Sequence, residues 1–181
     1  MQSYPKIELA ALPPASRLSS SYGRADFADA FSVDLPETVS SNAEELAGHV
    51  FTQQPGWIAM LMSLRDGLVR PFGIKRAADF EASGGDRISI FRVFERHQDE
   101  IILGEDDRHL DFRVSVLLLP ASEDRPRRLI VTTLVFYNRL LGRAYIALIA
   151  PFHRRVVRAS LERAQERGWP LDSGNPPASS S

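Results

Sequence analysis

Leu110-Asp-Phe-Arg-Val-Ser-Val-Leu-Leu-Leu119 alternates apolar and polar residues and then turns wholly apolar. In a strand, side chains two residues apart share a face. Leu110, Phe112, Val114, Val116 and Leu118 therefore line one side, and Asp111, Arg113 and Ser115 line the other. The charge begins earlier, in Gly104-Glu-Asp-Asp-Arg-His-Leu-Asp-Phe-Arg113, which adds Asp107 and His109 to the polar set. The apolar set predicts a core strand, and the polar set is either a solvated face or a site.

Strand signals surround this segment. Residues 88–96, 100–103, 109–119 and 128–138 read as four successive strands. The turns between them fall at His97-Gln-Asp99, at Gly104-Glu-Asp106, and in the charged loop from Pro120 to Pro126. The fourth is rich in β-branched residues: Ile130, Val131, Thr132, Thr133 and Val135. Upstream, residues 25–35 alternate through Phe27, Phe31, Val33 and Leu35, and Pro36 closes that strand. Ser40 or Ser41 is placed to cap a helix, with Glu44 in the capping-box position. After Gln54-Pro55-Gly56, residues 57–69 carry Trp57, Ile58, Leu61, Leu64 and Leu68 at helical spacing, and Arg70-Pro71 ends that run.

The last element is a helix over residues 142–167. Tyr145, Leu148, Ile149, Phe152, Val156, Ala159 and Arg163 form its stripe, and Pro151 predicts a kink or a start there. Residues 1–22 read as an irregular lead-in, 23–168 as one domain, and 169–181 as a disordered tail of proline, serine and glycine. A strand, two helices, an antiparallel meander and one long amphipathic helix make an α+β layout.

That order resembles the helix-grip fold of the START-like (SRPBCC) superfamily, in which a curved antiparallel sheet wraps a long C-terminal helix. The chain also resembles a bacterial family of unknown function in Ala28-Asp-Ala-Phe-Ser-Val33, in Pro55-Gly-Trp57 with Arg70-Pro-Phe-Gly73, and in the Gly104–Arg113 signature. The likeness extends through Tyr137-Asn138 and Pro151-Phe-His153. It implies the START-like fold and brings no established activity or catalytic residue. Some relatives join this domain to a dinucleotide-binding, epimerase-like domain. No glycine-rich phosphate fingerprint occurs here, so that partner domain is not expected, and no cofactor is implied.

Composition narrows the function classes. At 181 residues the chain suits one domain with a substantial core. Its formal net charge of −1 gives no general pull toward nucleic acid. It contains no cysteine, which excludes disulfides, thiolate metal sites and a cysteine nucleophile. The N-terminal residues lack the basic and apolar regions of a secretory signal, and no apolar run approaches the roughly 20 residues that span a bilayer. A cytoplasmic protein is the expectation.

The polar set supports several readings. Asp107 and Asp111 flank His109 and would orient it as a proton donor or acceptor, while Arg113 would hold an anionic group. The same residues also suit a solvent face with cross-strand ion pairs. A metal on Asp107, His109 and Asp111 is disfavoured, because same-face neighbours on a strand stand about 6.6 Å apart. No second histidine lies at a ligand spacing. Trp57 would close a pocket mouth or staple the core. His49 and His97 look incidental. His153-Arg-Arg-Val-Val-Arg158 makes the last helix basic, which fits either a solvated face or an anionic surface. No nucleophile elbow supports a hydrolase. The leading expectation is a domain that binds a small, largely apolar molecule between sheet and terminal helix, through Asp107, His109, Asp111, Arg113 and Trp57. A cyclase- or isomerase-like enzyme using His109, and a membrane or partner module using Arg154, Arg155 and Arg158, are the alternatives.

Overall fold

The computed structural model describes residues 5–52, 86–106, 110–138 and 140–172. Among them seven strands form one antiparallel sheet in the order β1-β2-β7-β6-β5-β4-β3. These are β1 (Glu8–Leu9), β2 (Phe27–Asp34), β3 (Arg87–Ile88), β4 (Phe91–Arg96), β5 (Glu100–Asp106), β6 (Leu110–Leu119) and β7 (Arg128–Tyr137). Two α-helices accompany them, α1 (Ala43–Phe51) and α2 (Leu140–Glu166). The fold is α+β, a seven-strand sheet with a C-terminal helix, and is compatible with a helix grip. The expected helix over 57–69, with Trp57, lies outside the described residues.

The meander forms with two differences from the expected pattern: residues 88–96 divide between β3 and β4, and β5 runs on through Gly104-Glu-Asp106, where a turn was expected. β6 pairs with β7 over ten residue pairs, from Leu110 opposite Tyr137 to Leu119 opposite Arg128. β2 joins the far side of β7, placing Phe27 opposite Val135 and Asp29 opposite Thr133. One face of the sheet meets the helices. Phe31, Val33, Ile101, Leu103, Val114, Val116, Leu129 and Val131 pack there against Leu46 and Val50 of α1 and Val157, Leu161 and Ala164 of α2.

The buried stripe of α2 differs from the expected one. Val157, Ser160, Leu161, Ala164 and Gln165 are buried, whereas Phe152 is 47% exposed and Arg163 is also exposed. Both sets recur at helical spacing, and the sheet selected the second. The side chains of Tyr145, Leu148 and Ile149 lie outside the described residues. The helix runs through Pro151, which removes one backbone donor from its ladder.

The cap of α1 also differs. Asn42 is the N-cap, and its side chain accepts from the amides of Glu44 (2.9 Å) and Glu45 (3.4 Å). Ser40 instead donates to Glu45 at 2.5 Å, and Ser41 donates to Asp172 at 3.0 Å. Arg127 fixes the chain entering this helix. Its buried guanidinium donates to the carbonyls of Val39 and Ser40, both at 2.6 Å.

The second face of the sheet is covered by the stretch expected to be an irregular lead-in. That stretch contains β1 and a 3-10 helix, Ser19–Arg24. Leu18, Tyr22 and Ala25 pack on Ala28, Phe94, Ile102, Leu134 and Phe136. Tyr22 donates its hydroxyl to the carbonyl of Pro13 at 2.8 Å.

The expected tail begins with four docked residues. Ser40 N donates to Pro170 O at 2.8 Å, Asp172 N donates to Thr38 O at 3.0 Å, and the Trp169 ring stands 5.6 Å from that of His49. Burial of Trp169 against the core holds this segment. His49, read as incidental, ties α1 to α2 through a 3.0 Å contact between Nε2 and Ala164 O. Among the described residues, no helix is long and apolar enough to cross a membrane.

Candidate functional site

The polar residues of β6 lie on the face away from the helices. Ser115, Arg113 and Asp111 stand opposite Ile102, Gly104 and Asp106 of β5, which share that outer face. Arg113 covers the Phe94 ring at 3.7 Å, pairs with Asp106 at 2.7 Å and donates to Phe112 O at 2.8 Å. A stacked, bidentate-capable guanidinium is well used in this position. Gly104 leaves room for it, since a Cβ there would stand 2.2 Å from Phe112 O and 3.1 Å from Arg113 Cδ. Asp107, His109 and Trp57 lie outside the described residues.

One strand pair further along the outer face, Glu100 is fully buried. Its carboxylate accepts from Ser16 Oγ (2.6 Å), Ser115 Oγ (2.6 Å), Arg17 N (2.9 Å) and Arg17 Nη1 (3.1 Å). The bond to Glu100 is the chief cause that holds the Arg17 guanidinium above its ordinary pKa. A buried charge satisfied on every side by one's own chain is a clamp for the overlying segment, with no valence left for a ligand.

A groove of about 720 Å³ opens at the start of α1, lined by residues that include Asn42, Glu44, Arg96 and His97. Its charges are also spent internally. Arg96 pairs with Glu44 at 2.9 Å and with Asp86. The Arg96 hydrogen bond holds the Asp86 carboxyl below its usual range, and the Asp86 bond in turn raises the guanidinium.

The helix-facing side of β2 is different. Phe27, Asp29, Phe31 and Val33 share that face, so one acid interrupts an apolar row. The Asp29 side chain is 2% exposed and looks toward α2. His153 Nε2 approaches its Oδ1 at 3.4 Å and Arg154 Nε approaches Oδ2 at 3.7 Å. Neither approach is aligned as a hydrogen bond. Both carboxylate oxygens and His153 Nε2 are buried with no hydrogen-bond partner among the described residues. The imidazole meets the edge of Phe27 at 5.9 Å between centroids. Thr133, on the next strand, stands directly opposite Asp29.

Buried polar groups in folded proteins are almost always bonded, so a carboxylate and an imidazole that face each other without a hydrogen bond stand out in this layer. Sequence reasoning passed over both residues. The signal for Asp29 was its phase, an acid at the apolar positions of an alternating strand. His153 was concealed within an arginine run on a helix whose buried face was assigned one residue away. Among the described residues, no group of three His, Asp or Glu side chains is arranged to hold a metal.

Comparison with protein families matches residues 21–160 to a family of proteins of unknown function, DUF2867, and the chain belongs to that family. No curated protein and no solved structure matches the chain.

Proposed function

Taking that membership as the premise, we propose that this domain binds a small, largely apolar molecule between the sheet and α2, with Asp29 and His153 at the polar end of the site. The observation that carries the reading is the unbonded Asp29 carboxylate, buried on the helix face beside an unbonded His153. An apolar enclosure with a few convergent polar groups is the usual form of a small-molecule site. Asp111 and Arg113 lie on the outer face, where Arg113 is held by Phe94 and Asp106, so this reading gives the polar contacts to Asp29 and His153. The contacts expected of Asp107, His109 and Trp57, which lie outside the described residues, remain part of the proposal.

The test is calorimetric titration with 2-methoxynaphthalene, an apolar probe with no hydrogen-bond donor, together with native mass spectrometry of the purified protein. Saturable one-to-one binding, with amide shifts confined to β2, β7 and α2, is the expected result. If no probe binds and no molecule is retained, the site is an internal packing feature and the reading is wrong.

A further inference from the structure

The site has an imbalance that specifies its ligand more narrowly. An ionised carboxylate accepts hydrogen bonds at two oxygens and donates none. Among the described residues, the nitrogen donors that approach Asp29 are His153 Nε2, misaligned at 3.4 Å, and Arg154 Nε, at 3.7 Å on a side chain that is 53% exposed, and the Thr133 hydroxyl on the facing strand makes no hydrogen bond to it. Asp29 itself is sealed from water, so solvent does not complete its shell. The surrounding face supplies Phe27 and Phe31. The site is therefore rich in acceptors and poor in aligned donors, inside an apolar wall.

We infer that the ligand is an uncharged, largely apolar alcohol or phenol whose hydroxyl donates to Asp29. The inference rests on the binding reading above and adds the identity of the polar group. A hydroxyl suits the pair because it donates to the carboxylate and accepts through its oxygen, so it completes the shells of Asp29 and of a His153 that carries its proton on Nε2. A carboxylate ligand does not suit it. Arg154 attracts an anion from the edge, but the buried Asp29 carboxylate repels it, and the Arg154 guanidinium is half in water. An ether or a hydrocarbon fills the apolar part and leaves the carboxylate open.

The experiment compares three probes of one shape on the full chain: 2-naphthol, 2-methoxynaphthalene and 2-naphthoate. 2-Naphthol is expected to bind about tenfold more tightly than the methyl ether, the size of one hydrogen bond to a charged acceptor. Naphthoate is expected to bind most weakly. In Asp29→Leu the advantage of naphthol over the ether should fall to within about twofold. Equal affinities for naphthol and ether in the wild type would leave the binding reading standing and overturn the hydroxyl assignment. Strongest binding by naphthoate would also overturn it, in favour of an anion site centred on Arg154. Failure of all three probes counts against the binding reading itself. The wild-type comparison decides the matter even if the leucine variant does not fold.

Discussion

Replacing Asp29 with asparagine should make the free protein more stable. The substitution keeps the shape of the side chain and removes its charge. Leaving a buried polar group unbonded costs about 1–3 kcal/mol, and more when it is ionised. Asp29 presents two such oxygens, with a side chain 2% exposed. Against this stands its attraction to Arg154. That partner is 3.7 Å away and 53% exposed, so the pair is worth about 0–1 kcal/mol. The asparagine amide is itself buried there, so only the cost of the charge is removed; that still outweighs the pair, and Asp29→Asn should gain about 1–2 kcal/mol in urea unfolding near neutral pH. For a domain of this size that corresponds to a rise in Tm of about 2–8 °C.

The companion variant Arg154→Gln should change stability by less than about 0.5 kcal/mol, because its guanidinium is already half in water. Both outcomes can be refuted. If Asp29→Asn lost more than about 1 kcal/mol, or if Arg154→Gln cost the roughly 3–5 kcal/mol of a broken buried pair, Asp29 would belong to a stabilising ion pair. The argument for a ligand site would then fail. A gain would mean that the native residue lowers the stability of the empty protein, as prepared sites commonly do.

Three other outcomes follow from the outer face. Glu100→Ala strands two serine hydroxyls and the Arg17 amide in a buried place, and should cost about 3–5 kcal/mol in urea unfolding. A loss below about 1 kcal/mol would show that the N-terminal stretch is not clamped there. Gly104→Ala forces a Cβ to within 2.2 Å of Phe112 O. Spreading β5 from β6 to relieve that clash should cost about 1–3 kcal/mol, visible as a lower Tm. The Tyr22 phenol is pushed above its ordinary pKa, chiefly by burial under the N-terminal layer. The neutral form is therefore the one the fold prefers. Its contribution is fully present below the unfolded value of 10.0 and is lost as pH rises through the higher folded value. Tyrosinate absorbance compared between wild type and Tyr22→Phe should reveal this delayed titration, and an ordinary midpoint would contradict it.

The meander was legible because alternation in residues 110–119 and the β-branched run in 128–138 are strong local signals, and strand pairing needs little else. The helix stripe was less legible. Phe152, Val156 and Ala159 compete with Val157, Leu161 and Ala164 at the same spacing, and only the sheet determines which set is covered. The N-terminal layer left no periodic trace, since Ser16, Leu18 and Tyr22 act from turns and a short 3-10 helix. Three of the residues first proposed for a site, Asp107, His109 and Trp57, fall outside the described region. Arg113 and Asp111 proved to share a face with the Glu100 clamp. Asp29 and His153 were hidden for a simpler reason. One is a lone acid in an apolar phase and the other a lone histidine in a basic run, and each acquires meaning only from the other. The stretches Ala28–Val33 and Pro151–His153, both part of the family likeness, carry the two residues.

The pairing of β2 with β7 sets a kinetic order on all of this. Phe27 meets Val135 and Asp34 meets Arg128, so the pairing closes a loop of about a hundred residues, whereas β5, β6 and β7 are joined by short connections. The meander can form early from neighbours, while β2 must wait for a distant end of the chain to return. Asp29 rides on that late strand, and the helix that carries His153 follows the meander. The two halves of the candidate site therefore come from opposite ends of the chain. A molecule that bridges them would be expected to slow unfolding by holding together a contact between distant segments.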